Sequence, residues 1–295
     1  MLLGIPLCTA LLSFVANPRL AAHIRQASEV TAGIRLAADA SSDSQFDLGA
    51  LASRIEAVRA APEPDAVRLL ILDSMTPGQC LALKVPESFV DEAEENSDST
   101  LVMVGRARPG LVKTFFVGEQ SILSHGVEVT LEKVERLKDG SARIELAAGK
   151  YCELVEVGDD DGRQSWLGRA GRVRWVDLDG KTPEEEVTPE LLKRSEQLGE
   201  RVADWIQLVK ETGREKQPNQ LEGVLQDLGP IPEARRLSAR ALWVAGLINP
   251  LPGLGVALEI RPAVLMAETA DLKLNAVEMG LEDSIQRLQR PTPPF

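Results

Sequence analysis

The period of the apolar residues changes once along this chain, near residue 180, and that change limits the fold more than any motif does. Over residues 66–178 apolar and polar positions mostly alternate, which is the pattern of half-buried strands. Over residues 188–289 apolar positions recur at three and four, which is the pattern of amphipathic helices. Strands gathered first and helices gathered afterwards predict an α+β body, not the helix–strand alternation of a parallel sheet.

The strand half opens with Arg68–Asp73, then Thr76-Pro77-Gly78-Gln79, then a second apolar run, Cys80–Val85. Leu101–Val104 and Lys113–Val117 read as further strands. Val127, Val129 and Leu131 alternate with acids and Thr130, and the count slips at Lys133-Val134, where a bulge is expected. Lys138-Asp139-Gly140 is a tight-turn sequence, because glycine accepts the positive φ of such turns. Arg143–Leu146, Lys150–Val157 and Arg172–Leu178 complete about seven short strands, enough for a strongly bent sheet or small barrel. The acid runs at 91–98, 159–161 and 184–186 read as solvated loops.

In the helical half, Thr188-Pro189 supplies an N-cap and a first-turn proline, and Leu191, Leu198, Val202, Trp205, Ile206 and Val209 hold one face until Gly213. Further helices are expected at 221–228, from about 233 to 248, after Pro262, and from a cap at Asp271 through Leu288. Arg235, Arg236 and Arg240 read as a solvated helix face.

The order of these pieces carries a family resemblance. Arg68–Asp73, Pro77-Gly78-Gln79, the Leu81–Val85 strand, the 126–157 hairpin with Gly149 inside it, and Leu251-Pro252-Gly253 followed by Arg261–Thr269 together resemble the Lon substrate-binding (Lon amino-terminal) domain over residues 66–289. Pro86–Phe89 and an acid run stand where that family carries an aromatic and arginine-bearing stretch. The resemblance implies a PUA-like bent β-sheet or pseudo-barrel domain at 66–180 and a helical bundle at 187–289, with a tail at 290–295. It implies that Pro77 and Gly78 form a structural loop. It also implies a non-enzymatic module that binds unfolded or partner polypeptide and assists a protease in protein quality control. The ATPase and serine–lysine protease of full-length Lon enzymes are not implied.

The residues themselves bear on chemistry mainly by exclusion. Gly180-Lys181-Thr182 ends like a phosphate loop, but Trp175 stands where the loop needs its first glycine. Asp177, Asp179, Gly180 and Glu186 match half of a calcium loop, again with Trp175 at the first ligand place. His23 and His125 are the two histidines; Ser121 and Ser124 lie near His125, which is expected at a turn, and no nucleophile elbow accompanies them. Cys8, Cys80 and Cys152 are too far apart for a Cys-x-x-Cys site, and the last two read as small buried hydrophobes. No catalytic residue, cofactor or metal is therefore expected. A net charge of -12 argues against nucleic acid as the main partner. No stretch of about 20 apolar residues spans a membrane. Adjacent strand residues point to opposite faces, so one of Phe115 and Phe116 meets a second layer or solvent. These two, with Trp166 and Trp175, are the candidate polypeptide-binding residues. A degenerate protease-related enzyme or adaptor and a PUA-like RNA binder are the alternative functions.

Residues 1–47 read separately. Met1–Ala16 is uncharged and mostly apolar, and Arg19, Arg25 and Arg35 follow among Ala, Ser and Thr. That composition is a presequence of the plastid type, so a plastid address is expected, with a short helix and linker at 48–65.

Overall fold

The computed structural model describes residues 63–107, 114–117, 120–160, 166–167, 169–178 and 187–290, all within one unit, Pro62–Phe295. The expected leader and the helix at 48–60 lie outside the described residues. The alternating half forms β1 (Asp65–Leu72), β2 (Cys80–Pro86), β3 (Leu101–Arg106), β4 (Thr114–Val117), β5 (Gln120–Arg136), β6 (Ser141–Asp160) and β7 (Arg169–Trp175). Two of these strands depart from the short pieces expected. β5 has 17 residues and β6 has 20, and both run through glycines that looked like breaks. At Gly126 a Cβ would stand 2.5 Å from the Met103 carbonyl oxygen, so glycine marks where β5 crosses close to β3, not a strand end. His125 is accordingly buried within β5 and not on a turn.

The long strands are long because each serves more than one neighbour. β5 pairs antiparallel with β3, β4 and β6. β6 pairs with β5 along one edge, and along the other with β2 first and β7 later. β7 pairs with β1, and β1 lies parallel to β3. The path β1–β3–β5–β6–β7 returns to β1 and closes a ring. β2 and β4 extend it as flanking strands. Closure needs sharp bending, and the register shifts between Val127 and Val129 and between Leu131 and Lys133 provide it. The second shift sits beside the slip read from the alternation. Val102, Met103, Val104 and Gly105 of β3 are all buried, so both faces of that strand are covered.

The helices are α1 (Glu87–Glu95), α2 (Pro189–Thr212), α3 (Gln220–Leu228), α4 (Leu237–Ile248), α5 (Arg261–Met266) and α6 (Ala270–Gln289). α1 occupies part of the acid run expected as a loop; its Phe89 and Val90 are buried and its carboxylates face outward. α2 begins at Thr188, whose Oγ1 accepts from the Leu191 N–H, and ends at Gly213 in the left-handed region. α4 is buried nearly all round, and α2 and α6 flank it. Trp205 of α2 is fully buried and donates to Ser284 Oγ of α6 at 2.8 Å. α6 is capped by Thr269, not by Asp271, which instead holds Arg194 of α2 together with Glu278. Arg240 also departs from its expected solvated face. It is buried against Gly199 of α2 and donates to the Pro232 carbonyl at 3.0 Å.

The ring and the bundle meet at the Thr76–Gln79 turn. Gln79 is buried; its Nε2 donates to the carbonyls of Gly246 (3.1 Å) and Asn249 (2.9 Å) at the end of α4. Its Oε1 accepts from the Thr76 N–H at 2.9 Å. Gly78 has φ +83° and lies against Leu228 of α3. A second seam joins Tyr151 of β6, which donates to the Leu265 carbonyl of α5, and Ser124 of β5 beside Met266.

Candidate functional site

An apolar cleft of about 120 Å3 opens between β1, β2 and α1. Leu70 and Leu72, two residues apart on β1, present one face to it. Leu83, Lys84, Val85 and Pro86 of β2 line it consecutively, Phe89 of α1 forms its back, and Trp166 stands at its mouth. Trp166 is 46% exposed, the largest side chain among the described residues to be so exposed. Its ring meets Phe89 edge-on, with centroids 5.9 Å apart and planes at 81°, a favourable aromatic arrangement.

The position of that ring is set by a carboxylate. Glu92, one turn beyond Phe89 on α1, accepts from the Trp166 N–H at 3.0 Å and the Leu167 N–H at 2.8 Å. Leu167 is buried beneath it. The acid run thus contributes a bidentate acceptor for two successive backbone amides, an arrangement stronger than neutral pairing. Three more acids of α1 hold the β5–β6 hairpin. Arg136 donates to Glu87 (2.8 Å), Asp91 (2.7 Å) and Glu94 (3.0 Å), and these bonds raise its pKa further. Lys84, the cation lining the cleft, is paired with Asp139 at 2.7 Å, and that pairing pushes the Asp139 carboxyl down to about 2.

The four candidate binding residues fall in different places. Trp166 lines the cleft; Phe115 and Trp175 do not. Phe115 is half-buried in β4 opposite Ile122. Phe116 pairs with Ser121 in the same ladder, and its side chain lies outside the described part. Trp175 is committed within the protein: its Nε1 donates to Asp65 at 2.7 Å, and Lys150 sits 5.7 Å from its ring centroid. Pro77 and Gly78 form the turn at the ring–bundle junction described above. Phe89, Glu92 and the β2 edge were not singled out from the sequence. The signal for them was the Pro86–Phe89 segment itself, an apolar step beside acids where helix and loop look alike.

Ser124 Oγ lies 3.1 Å from His125 Nδ1, but both are buried, and the imidazole is stacked on Tyr151 at 5.4 Å. Burial limits a substrate's access to that pair. The Cys80 thiol is pushed up to about 11 by burial first and by Asp227 second, and burial pushes Cys152 up to about 12. Neither thiol is poised as a thiolate. Among the described residues no group of three or more His, Cys, Asp or Glu side chains is placed to hold a metal ion, and no helix is long and apolar enough to cross a membrane.

No protein-family model matches the chain, and no curated protein matches it. Solved structures are similar to it. A Lon N-terminal domain protein from Xanthomonas campestris is 15% identical with a TM-score of 0.43, over 73% of this chain and 98% of that one. The N-terminal domain of a Mycobacterium avium complex Lon protease is 15% identical with a TM-score of 0.45, over 74% of this chain and 99% of that one.

Proposed function

We propose that this protein is a polypeptide-binding module of the Lon amino-terminal kind, which holds an apolar segment of an unfolded or partner chain at the β1–β2–α1 cleft without altering it covalently. The observation that carries the reading is the half-exposed Trp166 ring, held over an apolar cleft by Glu92. An exposed indole fixed in place by two backbone hydrogen bonds offers apolar area at little entropic cost. The seriation of strand, Pro-Gly-Gln turn, long hairpin and helical tail supports the same reading. Delivery of held segments to a protease, and a plastid address carried by residues 1–47, belong to the proposal.

The test uses the full chain and fluorescently labelled, reduced α-casein as an unfolded client. Burying a large apolar side chain contributes about 1.5–3 kcal/mol, and Trp166 is already about half buried, so roughly half of that is available to a client. Trp166→Ser is expected to weaken casein binding roughly three- to twelvefold in a chain that stays folded by circular dichroism, its melting temperature lowered only by the lost Phe89 contact. Unaltered affinity would remove the cleft from the reading. Cleavage of casein by the purified chain, blocked by Ser124→Ala, would establish the protease-related alternative instead.

A further inference from the structure

The back wall of the cleft and the anchor of Trp166 both belong to α1, a helix with little of its own to keep it folded. Five of its nine residues are acids: Glu87, Asp91, Glu92, Glu94 and Glu95. Glu87 and Asp91 stand four apart and repel, as do Asp91 and Glu95, and the last two acids lie at the negative end of the helix dipole. No side chain caps the start at Pro86, and no basic residue stands in the last turn. Phe89 and Val90 are its buried residues. A nine-residue segment of this kind does not stay helical unaided.

Helical spacing divides its side chains between two faces. Glu87, Asp91 and Glu94 recur at four and three and share one face; Phe89 and Glu92, three apart, share the opposite one. The first face meets Arg136, the last residue of β5, which donates to Glu87 at 2.8 Å, Asp91 at 2.7 Å and Glu94 at 3.0 Å. The second face carries the ring that meets Trp166 and the carboxylate that accepts from the Trp166 and Leu167 amides. Arg136 is itself fixed at the hairpin tip. It pairs with Ala142 of β6, the neighbouring Ser141 pairs with Pro86 of β2, and the Glu87 N–H donates to the Gly140 carbonyl at 3.1 Å. One guanidinium on the closed ring thus neutralises three carboxylates of a helix whose other side builds the cleft.

We propose that Arg136 is a positioning residue for polypeptide binding: from outside the cleft it keeps α1 folded and seated, and through Phe89 and Glu92 it keeps Trp166 over the cleft. The inference rests on the polypeptide-binding reading and adds to it a residue that does not line the cleft. It also makes affinity sensitive to salt. The side chains of Arg136, Glu87, Asp91 and Glu94 are between 39% and 60% exposed, so dissolved ions reach and weaken these pairs.

The experiment compares full chains by binding of labelled, reduced α-casein and by amide hydrogen exchange over residues 87–95. Arg136→Ala is expected to speed exchange across 87–95 about tenfold while β1, β5 and β6 keep their protection. Because it acts through the cleft's own walls, its loss of casein affinity stays at the lower end of that of Trp166→Ser, about threefold. Arg143→Ala is the control: it removes the same charge from the same hairpin, where Arg143 is 69% exposed and pairs with Glu135. It should change neither readout. Arg136→Lys falls between, since an ammonium lacks the planar fork that meets several carboxylates at once. The gap between parent and Arg136→Ala narrows at about 500 mM NaCl. Combined with Trp166→Ser, Arg136→Ala weakens binding by less than its separate factor. If Arg136→Ala binds casein as Arg143→Ala does, or if the losses of the double variant multiply, this inference is overturned and the cleft reading stands. Should Arg136→Ala loosen the whole ring, Arg136→Lys decides, and protection at 87–95 equal to the parent's overturns the inference. Trp166→Ser without effect on casein, in a chain that stays folded, overturns both.

Discussion

Replacing Gln79 by alanine tests the junction on which the site depends. The Gln79 side chain makes three buried hydrogen bonds, accepting from Thr76 N–H and donating to two carbonyls at the end of α4. Each buried bond contributes about 1 kcal/mol net, so Gln79→Ala should cost roughly 3 kcal/mol before any cavity term. For a body of this size each kcal/mol moves Tm by about 2–4 °C, which gives a fall of roughly 6–12 °C. Gln79→Glu is nearly isosteric but sets a carboxylate oxygen against two carbonyl oxygens, so it should be no milder than alanine. Lys84→Ala is the control, because both members of its ion pair are more than half exposed and water screens them. Differential scanning calorimetry with far-UV circular dichroism reads all three. A fall of less than about 2 °C for Gln79→Ala, or a Gln79→Glu protein as stable as the parent, would refute the argument that this turn joins ring and bundle.

Two further outcomes follow from the core. Ser284→Ala should leave the fully buried Trp205 N–H without its acceptor and cost about 1–3 kcal/mol in urea unfolding, whereas an exposed Ser88→Ala change should be silent. Cys80 and Cys152 keep their protons in the folded state beyond the ordinary value near 9, so their contribution to stability is complete below about pH 9 and is lost as pH rises towards 11 and 12. Cys80 is only half-buried, unlike Cys152 and unlike the expectation for both; peptide-resolved iodoacetamide labelling at pH 7.5 should still find both slow, and labelling of Cys80 at the rate of free cysteine would contradict its raised thiol.

Most of the fold was legible because each half repeats one period many times. α2 shows this: Leu198, Val202, Trp205 and Val209 are spaced for one face, and that face is the buried one. What was not legible has local reasons. α1 is nine residues long with two buried side chains, too few turns for a helical period to outvote a run of acids. Gly126 stands inside β5 because the Met103 backbone passes close by, which the sequence does not reveal, and Gly149 stands inside β6 beside the Glu128 side chain. The continuous apolar runs of β1 and β3 fit strands covered on both faces, but which strand each pairs with, and in which direction, is not written in either. Asp271 looked like a cap, yet Thr269 Oγ1 takes the Leu272 N–H, which frees Asp271 for Arg194. Within the proposed cleft, Trp166 is the residue that the sequence singles out. Its partners, Phe89 and Glu92, come from the segment where strand and helix patterns meet, and only the folded ring brings residue 166 against them.

The closed ring has a consequence for how the chain reaches its folded state. β1 is made first but pairs with β7, about a hundred residues later, so its outer edge stays without a partner until residue 175 is available. On a ribosome the Asp65–Arg68 edge that β7 covers waits through the synthesis of β2 to β6, whereas Leu69–Leu72 meets β3 once residue 105 is made. Contacts of such long sequence separation close slowly. An unpaired strand edge is meanwhile a surface on which chains aggregate or chaperones act. A module proposed to hold the unfinished strands of other proteins is, during its own synthesis, a client of the same kind.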